Sequence, residues 1–305
     1  MTRYIAIRIG QGALVVLGAV AVSFLLVNVA GDPVGVLGGQ LLGPEEKQRL
    51  IELYGYDRPL SEQFVDYIGS VLRGDFGESF RQPVGAVTLV LESLPPTIWL
   101  VVGSVIVTFV VSIPAAVLSV LRRGSKLDGG VRGSLMVLQG LPSFWLGVVL
   151  VLIFSVQLRW LPSYGDEDWT SYILPIAALA IPLMSSVVRL LRSQMLDIMG
   201  MEFVTALRAK GLSERDIVLR HALHNAMPPL VTFMALQIGW LFGGTIIVEA
   251  VFGWPGIGTL AITATNNSDL TVIQALVVVV AVVYVLLNLL ADLLVLAIDP
   301  RLRAS

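Results

Sequence analysis

No cysteine occurs in this chain, which excludes disulfides, thiolate metal sites and thiol nucleophiles. Charge is scarce: Asp, Glu, Lys and Arg make up 14% of the residues, where a soluble domain carries about 25%. No Gly-Lys dipeptide is present, so there is no phosphate-binding loop of the Walker type and no ATP hydrolysis by that route. HExxH and GxSxG are also missing, which removes the usual zinc-protease and serine-hydrolase chemistries. Of the two histidines, His221 and His224 stand at i, i+3. No acidic third ligand is fixed beside them by spacing, so they read as surface histidines, and neither a metal nor a cofactor is expected in this chain. A net charge of −2 with no basic run gives no support for nucleic acid as a partner.

What is there instead is apolar. Hydrophobic residues make up 56% of the 305 positions, and the mean hydropathy is +0.84. A spanning helix needs about 20 apolar residues, and six runs qualify: 9–29, 97–121, 133–158, 173–191, 229–250 and 273–297. The expected fold class is therefore all-α and polytopic, with the lipid bilayer as its surroundings. The first run follows Arg3 and Arg8 and exceeds the length of a signal-peptide core, so it reads as an uncleaved anchor. Lys and Arg set orientation. Arg3, Arg8, Arg122, Arg123, Lys126, Arg132, Arg189, Arg192, Arg208, Lys210, Arg215, Arg220, Arg301 and Arg303 fall on one side, against Arg159 in the short loops opposite. Both termini are expected in the cytoplasm.

Two segments are too polar to span. Residues 31–96 read as an extracytoplasmic insertion between the N-terminal helix (1–30) and a core of helices two to six (97–305). Within it the pattern predicts a helix over Pro44–Tyr54, a turn at 55–59, a helix over Leu60–Arg73, a turn at Gly74-Asp75-Phe76-Gly77, and an apolar helix over Val84–Leu94 stopped by Pro95-Pro96. The other polar segment is the cytoplasmic loop 192–228. Its core, EFVTALRAKGLSERDIVLRHALHNAMPP from 202 to 229, reads as two helices about Gly211. Lys210 places a cation in the last turn of the first, and Gly211 follows as a left-handed cap. Ser213 to Asp216 open the second in the manner of a capping box. Two readings fit: docking to a soluble partner, or a hairpin lying on anionic lipid.

Polar residues inside the runs are costly and face protein or water. They are Gln139 and Ser143 around Pro142, Ser185 and Ser186 after Pro182, Gln237, and Asn288 with Asp292 on one helix face. Each serves either a translocation pathway or helix–helix hydrogen bonding. Pro142, Pro175 and Pro182 can each kink a helix. Glu249, then Phe252-Gly253-Trp254-Pro255-Gly256-Ile257-Gly258, suggest a tight turn.

The polar island resembles the loop of ABC-importer permeases on which ATPase subunits dock. In the peptide/nickel branch of that family a stretch like Arg208-Ala209-Lys210-Gly211-Leu212, then His221-Ala222-Leu223, Asn225-Ala226 and Pro229, recurs. Thr205-Ala206-Leu207 departs from the branch's usual Arg-Thr-Ala. Gly31-Asp32-Pro33, LYGYDRPLSEQFVDYIGSVLRGDFGESF, LPPTIWL, LPSFWLG, RWLPSYG, Ile173-Leu174-Pro175, GGTIIVEAVFGWPGIG and Asp299-Pro300-Arg301 are similar, in the same order, to the B-type subunit of peptide permeases. The resemblance covers nearly the whole chain. It implies a type I importer fold and a heterodimer with a homologous permease. It also implies two cytoplasmic ATPases that hold the ATP and Mg, and an external substrate-binding protein. On that basis Ala206, Arg208, Lys210, Gly211, Ser213, Arg215, Asp216, Arg220 and His221 form the ATPase-coupling loop. Glu249, Phe252, Trp254 and Gly256 form an outer gate or a binding-protein contact. The implied cargo is a di- or oligopeptide. A nickel, glutathione or oligosaccharide importer is the alternative within the branch, and an ion-coupled carrier or a membrane scaffold the alternative outside it.

Overall fold

The computed structural model describes residues 2–30, 43–55 and 57–298. Gly31-Asp32-Pro33, Tyr56 and Asp299-Pro300-Arg301 lie outside them. The helices are α1 (Thr2–Leu25, widened to a π turn over Leu26–Ala30), α2 (Pro44–Tyr54), α3 (Leu60–Leu72), α4 (Ala86–Leu121), α5 (Lys126–Gln139), α6 (Ser143–Leu150, with a π stretch over Val151–Gln157), α7 (Ile173–Met199), α8 (Glu202–Ala209), α9 (Glu214–Asp216), α10 (Leu223–Phe252), α11 (Ile257–Asn266) and α12 (Leu270–Ile298). Among the described residues five helices are long and apolar enough to cross a membrane, or six if α5 and α6 count as one bent span. The chain divides into two compact units, Met1–Pro95 with Pro255–Leu289, and Pro96–Trp254 with Leu290–Ser305.

In the first unit, α2 and α3 fall where the turn residues put them. Gly55, at φ +69°, ends α2 in the left-handed region. Phe24 of α1 packs its ring 5.2 Å from Phe64 and 5.8 Å from Tyr67, and the Tyr67 hydroxyl lies 3.0 Å from Ser23 Oγ. Burial raises the Tyr67 phenol above its usual pKa, keeping it a neutral hydrogen-bonding group. Ala86, Val90, Ala264, Val272 and Ala275 form a core cluster. Beside it Asp269 caps α12: its Oδ1 accepts from Val272 N and Phe80 N, both at 3.3 Å, and its Oδ2 accepts from Ser79 Oγ at 2.5 Å. Arg81 donates to Asn267 O at 3.1 and 3.2 Å. The loop after α3 is thereby fastened to the loop before α12.

The second unit is built around α7, which packs against α10, α5 and α6 and buries Leu174, Ala178, Leu183, Val187, Leu191 and Met195. Three boundaries differ from the sequence pattern. The apolar helix expected to stop at Pro95-Pro96 runs on, and α4 is continuous for 36 residues. Tertiary contacts just past the prolines hold it: Trp254 Nε1 donates to Pro96 O at 3.2 Å, and Thr97 Oγ1 donates to Glu249 Oε1 at 2.6 Å. The expected third span, 133–158, is instead two helices bent by 105°. Pro142 has no N–H and disfavours the helical region at Leu141; it sits extended at φ −63°, ψ 140° as the cap of α6. Finally, the second half of the polar island is no separate helix. Helical structure is unbroken from Glu214 to Phe252, through a π stretch over Ile217–Ala222 and past Pro228 and Pro229. Pro175 falls in the first turn of α7, where its missing donor costs little, and Pro182 lies inside that helix.

Candidate functional site

Three features of the second unit involve the residues singled out from sequence. The first is the hairpin of α8 and α9. Gly211 has φ +83°, the left-handed angle its position calls for. Gly211 N donates to Arg208 O at 2.9 Å and Leu212 N to Leu207 O at 3.3 Å, closing the end of α8. Ser213 Oγ accepts from Asp216 N at 3.1 Å and donates to Asp216 Oδ2 at 2.5 Å, so Ser213 caps this start, while the Asp216 carboxylate meets the Ser213 hydroxyl instead of completing the expected capping box through the backbone N–H. Val204, Ile217, Val218 and Ala222 are buried beneath the hairpin. Ala206, Arg208, Lys210, Gly211, Ser213, Arg215 and Arg220 are exposed, and Asp216 and His221 half-buried. The structure adds one partner the sequence reading left out. Arg208 Nε and Nη2 reach Glu214 Oε1 and Oε2 at 2.6 and 3.3 Å, a fork across the Gly211 turn that raises the guanidinium pKa. Opposite charges flanking a glycine cap were the available signal. Arg220 and Asp216 stand 3.6 Å apart in the open and contribute little.

The second feature is a half-open cavity of about 820 Å³ at the α5–α6 break, walled by α5, α6, α7 and α10. Gln139, Ser143 and Gln237, taken from three apolar runs, meet on its lining together with Ser186. Ser185, a pathway candidate alongside it, does not: it is 1% exposed and its hydroxyl has no hydrogen-bond partner. Adjacent residues on a helix point about 100° apart, so only Ser186 faces the cavity. Most of the lining is apolar, including Trp240, Leu241, Phe144 and several glycines. Asn288, on α12, donates Nδ2 to Tyr284 O at 2.9 Å, a bond within its own helix; Asp292 is half-buried one turn on.

The third feature lies at the end of α10. Glu249 and Trp254 are fully buried and Phe252 is 2% exposed. Gly253 turns left-handed at φ +57°, and Trp254 N returns to Glu249 O at 2.9 Å. Tyr172 meets the Trp254 ring edge-on at 4.5 Å, and Gly165 N donates to Phe252 O at 3.0 Å. These side chains are buried within the chain and fix the end of α10. A Trp, a Phe and a carboxylate beside an apolar helix end close a turn by burying themselves. Gly256, in the first unit, caps α11 in an extended conformation and is buried.

Residues 109–304 match the family described as binding-protein-dependent transport system inner membrane component. Over its full length the chain is similar to the oligopeptide transport system permease protein AppB of Bacillus subtilis (strain 168): 34% identical, covering 99% of this chain and 100% of that protein. It is 37% identical to the glutathione transport system permease protein GsiC of Escherichia coli (strain K12), with 92% of each covered. Among solved structures, the inward-facing MetNI methionine ABC transporter in its CY5 native crystal form aligns with a TM-score of 0.58 at 23% identity, covering 69% of this chain and 96% of that one. That likeness gives the fold, and the sequence relatives give the branch. The chain belongs to the binding-protein-dependent inner-membrane-component family: it is a multi-pass inner-membrane permease subunit of the ABC-importer type, peptide/nickel branch, with the type I fold.

Proposed function

We propose that this chain moves peptides inward across the cytoplasmic membrane by alternating access, as one half of a permease heterodimer. The observation that carries the reading is the end-to-end match to an oligopeptide permease, on a chain that presents a capped, exposed hairpin on its basic side. Two ATPase subunits dock on that hairpin and supply ATP and Mg; this chain hydrolyses nothing. ATP binding closes the ATPases, draws on α8 and α9, and turns the permease pair from inward-open to outward-open. An external binding protein delivers cargo and favours the same transition by its differential affinity for the two states. Both termini lie in the cytoplasm, following the positive charge. The cavity is of the size of a small-molecule site, roughly 300–1,000 Å³, and its apolar lining with four polar groups suits cargo whose side chains vary while the backbone stays constant. Glutathione, itself a modified tripeptide, is the second reading, favoured by the 37% identity to GsiC.

The test is uptake into proteoliposomes holding the complete complex with its binding protein outside. Labelled di- and oligopeptides should accumulate only with ATP inside the ATPase compartment, and glutathione serves as the competing substrate. Uptake by the isolated chain driven by a proton gradient would make it a secondary carrier. No uptake by a fully assembled complex of any of these substrates would remove the peptide reading.

A further inference from the structure

The ion pair that joins α5 to α7 involves none of the pathway or docking candidates. Asp128, in the first turn of α5, is 1% exposed, and the Arg192 side chain, on α7, is 18% exposed. Arg192 Nε donates to Ser119 Oγ at 2.9 Å and to Asp128 Oδ1 at 3.0 Å, and its Nη2 donates to Asp128 Oδ2 at 3.0 Å. Ser119 Oγ also donates to Asp128 Oδ1, and Gly124 N donates to Oδ2 at 3.1 Å. The end of α4, the start of α5 and the middle of α7 therefore meet in one knot. Three residues earlier on α7, Arg189 Nη1 donates to Gln139 Oε1 at 2.7 Å. Gln139 is the last residue of α5, so α7 holds α5 at both ends.

This strap has a mechanical consequence. α7 passes into α8 through a hydrogen-bonded turn, Gly200 N to Asp197 O at 3.1 Å, Met201 N to Ile198 O at 3.0 Å and Val204 N to Met201 O at 3.1 Å. The hairpin is thus joined to α7 by a hydrogen-bonded turn rather than by a free loop. At its other end α5 stops at the Gly140-Leu141-Pro142 break, where α6 departs at 105°, and residues Gln139 to Phe144 wall the cavity. We infer that Ser119, Asp128 and Arg192 are positioning residues that make α5 travel with α7, so that hairpin displacement moves the cavity wall about the 140–142 break. A bidentate Arg–carboxylate fork suits that task because it resists both shear and rotation, while a proline-capped break bends where the helix ladder is already open. The inference rests on the importer reading above.

The experiment uses the complete complex in proteoliposomes and measures ATP hydrolysed and substrate taken up in the same vesicles, per assembled complex. Asp128→Asn and Arg192→Gln should each leave hydrolysis within about twofold and lower uptake roughly tenfold, so more ATP is spent per substrate. The double variant, which pairs two neutral hydrogen-bonding groups, should recover part of the ratio. Proportional loss of both activities, or no change in either, would overturn the inference. A second measurement avoids mutating the pair. Gly129→Cys and Ser193→Cys, exposed neighbours of Asp128 and Arg192, are joined by a flexible bis-maleimide; at Gly129 an added side chain meets open space. Elements that move together tolerate the bridge, so uptake should persist. Loss of uptake on bridging, with the unbridged double variant active, would mean that α5 and α7 part during the cycle. Failure of the wild-type complex to take up peptide would count against the function, and the same variants would then be read with whichever substrate that complex carries.

Discussion

Gly211 and Gly253 carry the same backbone signature with different surroundings. Both have positive φ, +83° and +57°, so any side chain at either meets a left-handed cost of about 1–2 kcal/mol. Around Gly211 an added Cβ meets nothing within 4 Å, whereas at Gly253 it would run into the Tyr164 ring. The consequences separate accordingly. Gly211→Val should leave membrane insertion and chain yield unchanged but lower ATPase recruitment or uptake, because the hairpin alone is strained. Gly253→Ala adds an overpacking cost of about 1–3 kcal/mol at the end of α10, and should reduce the thermal stability or yield of the chain itself. Pull-down of the ATPases, normalised to permease in the membrane, checks the first; a melting curve of purified chain checks the second. Normal recruitment and uptake by Gly211→Val would remove this turn from coupling. Normal stability of Gly253→Ala would mean that Tyr164 moves aside at no cost.

At the scale of elements, the hairpin's polar residues are not equivalent. Arg208 and Glu214 close the hairpin on each other, and Ser213 and Asp216 cap its second half. Reversing charge at any of these disturbs the fold of the loop before it disturbs a partner. Lys210 and Arg215 are exposed and stand at the tip. Lys210→Glu with Arg215→Glu should therefore weaken co-purification of the ATPases by roughly tenfold, while the hairpin stays formed; a rim charge acts chiefly through association rate and salt dependence. Unchanged co-purification at both low and high salt would move the docking surface off this tip. The hairpin was legible in the sequence because its signals are local: a glycine, a cation before it, a serine cap after it. So were α2 and α3, set by Pro44, Gly55 and Gly74. The bend between α5 and α6 was legible only as a possible kink at Pro142, and the passage of α4 through Pro95-Pro96 was not legible at all. A proline states that a donor is missing, and whether the helix breaks there depends on what lies across from it. Across from Pro96 is the Trp254 indole, 158 residues away in sequence. The Asp128–Arg192 pair was hidden for the same reason, since its partners are 64 residues apart, and Ser185 and Ser186 could not be told apart because position in a run does not give a face.

For the whole molecule, the proposed pathway offers little with which to select. Its polar groups are two amides and two hydroxyls, Gln139, Gln237, Ser143 and Ser186, on walls that are otherwise apolar or glycine. Among the described residues no cluster of His, Asp and Glu is placed to hold a metal ion. Such a lining has no group that demands a particular partner. Strong discrimination comes from buried polar groups left unpaired by the wrong ligand, whereas an apolar wall separates ligands by only about 1–3 kcal/mol per methylene. The permease should accordingly pass what it is handed, with the external binding protein choosing. Gln237→Ala should change the maximal uptake rate, by roughly two- to tenfold, and leave the ranking of competing peptides as it was. Exchanging the binding protein for one of different preference, with docking retained, should reorder that ranking. Competition among labelled peptides in the same vesicles reads both arms. A reordered ranking in Gln237→Ala, with the binding protein unchanged, would require a specific site within this cavity, and Gln139 and Ser186, which share its lining, would be the next positions to substitute.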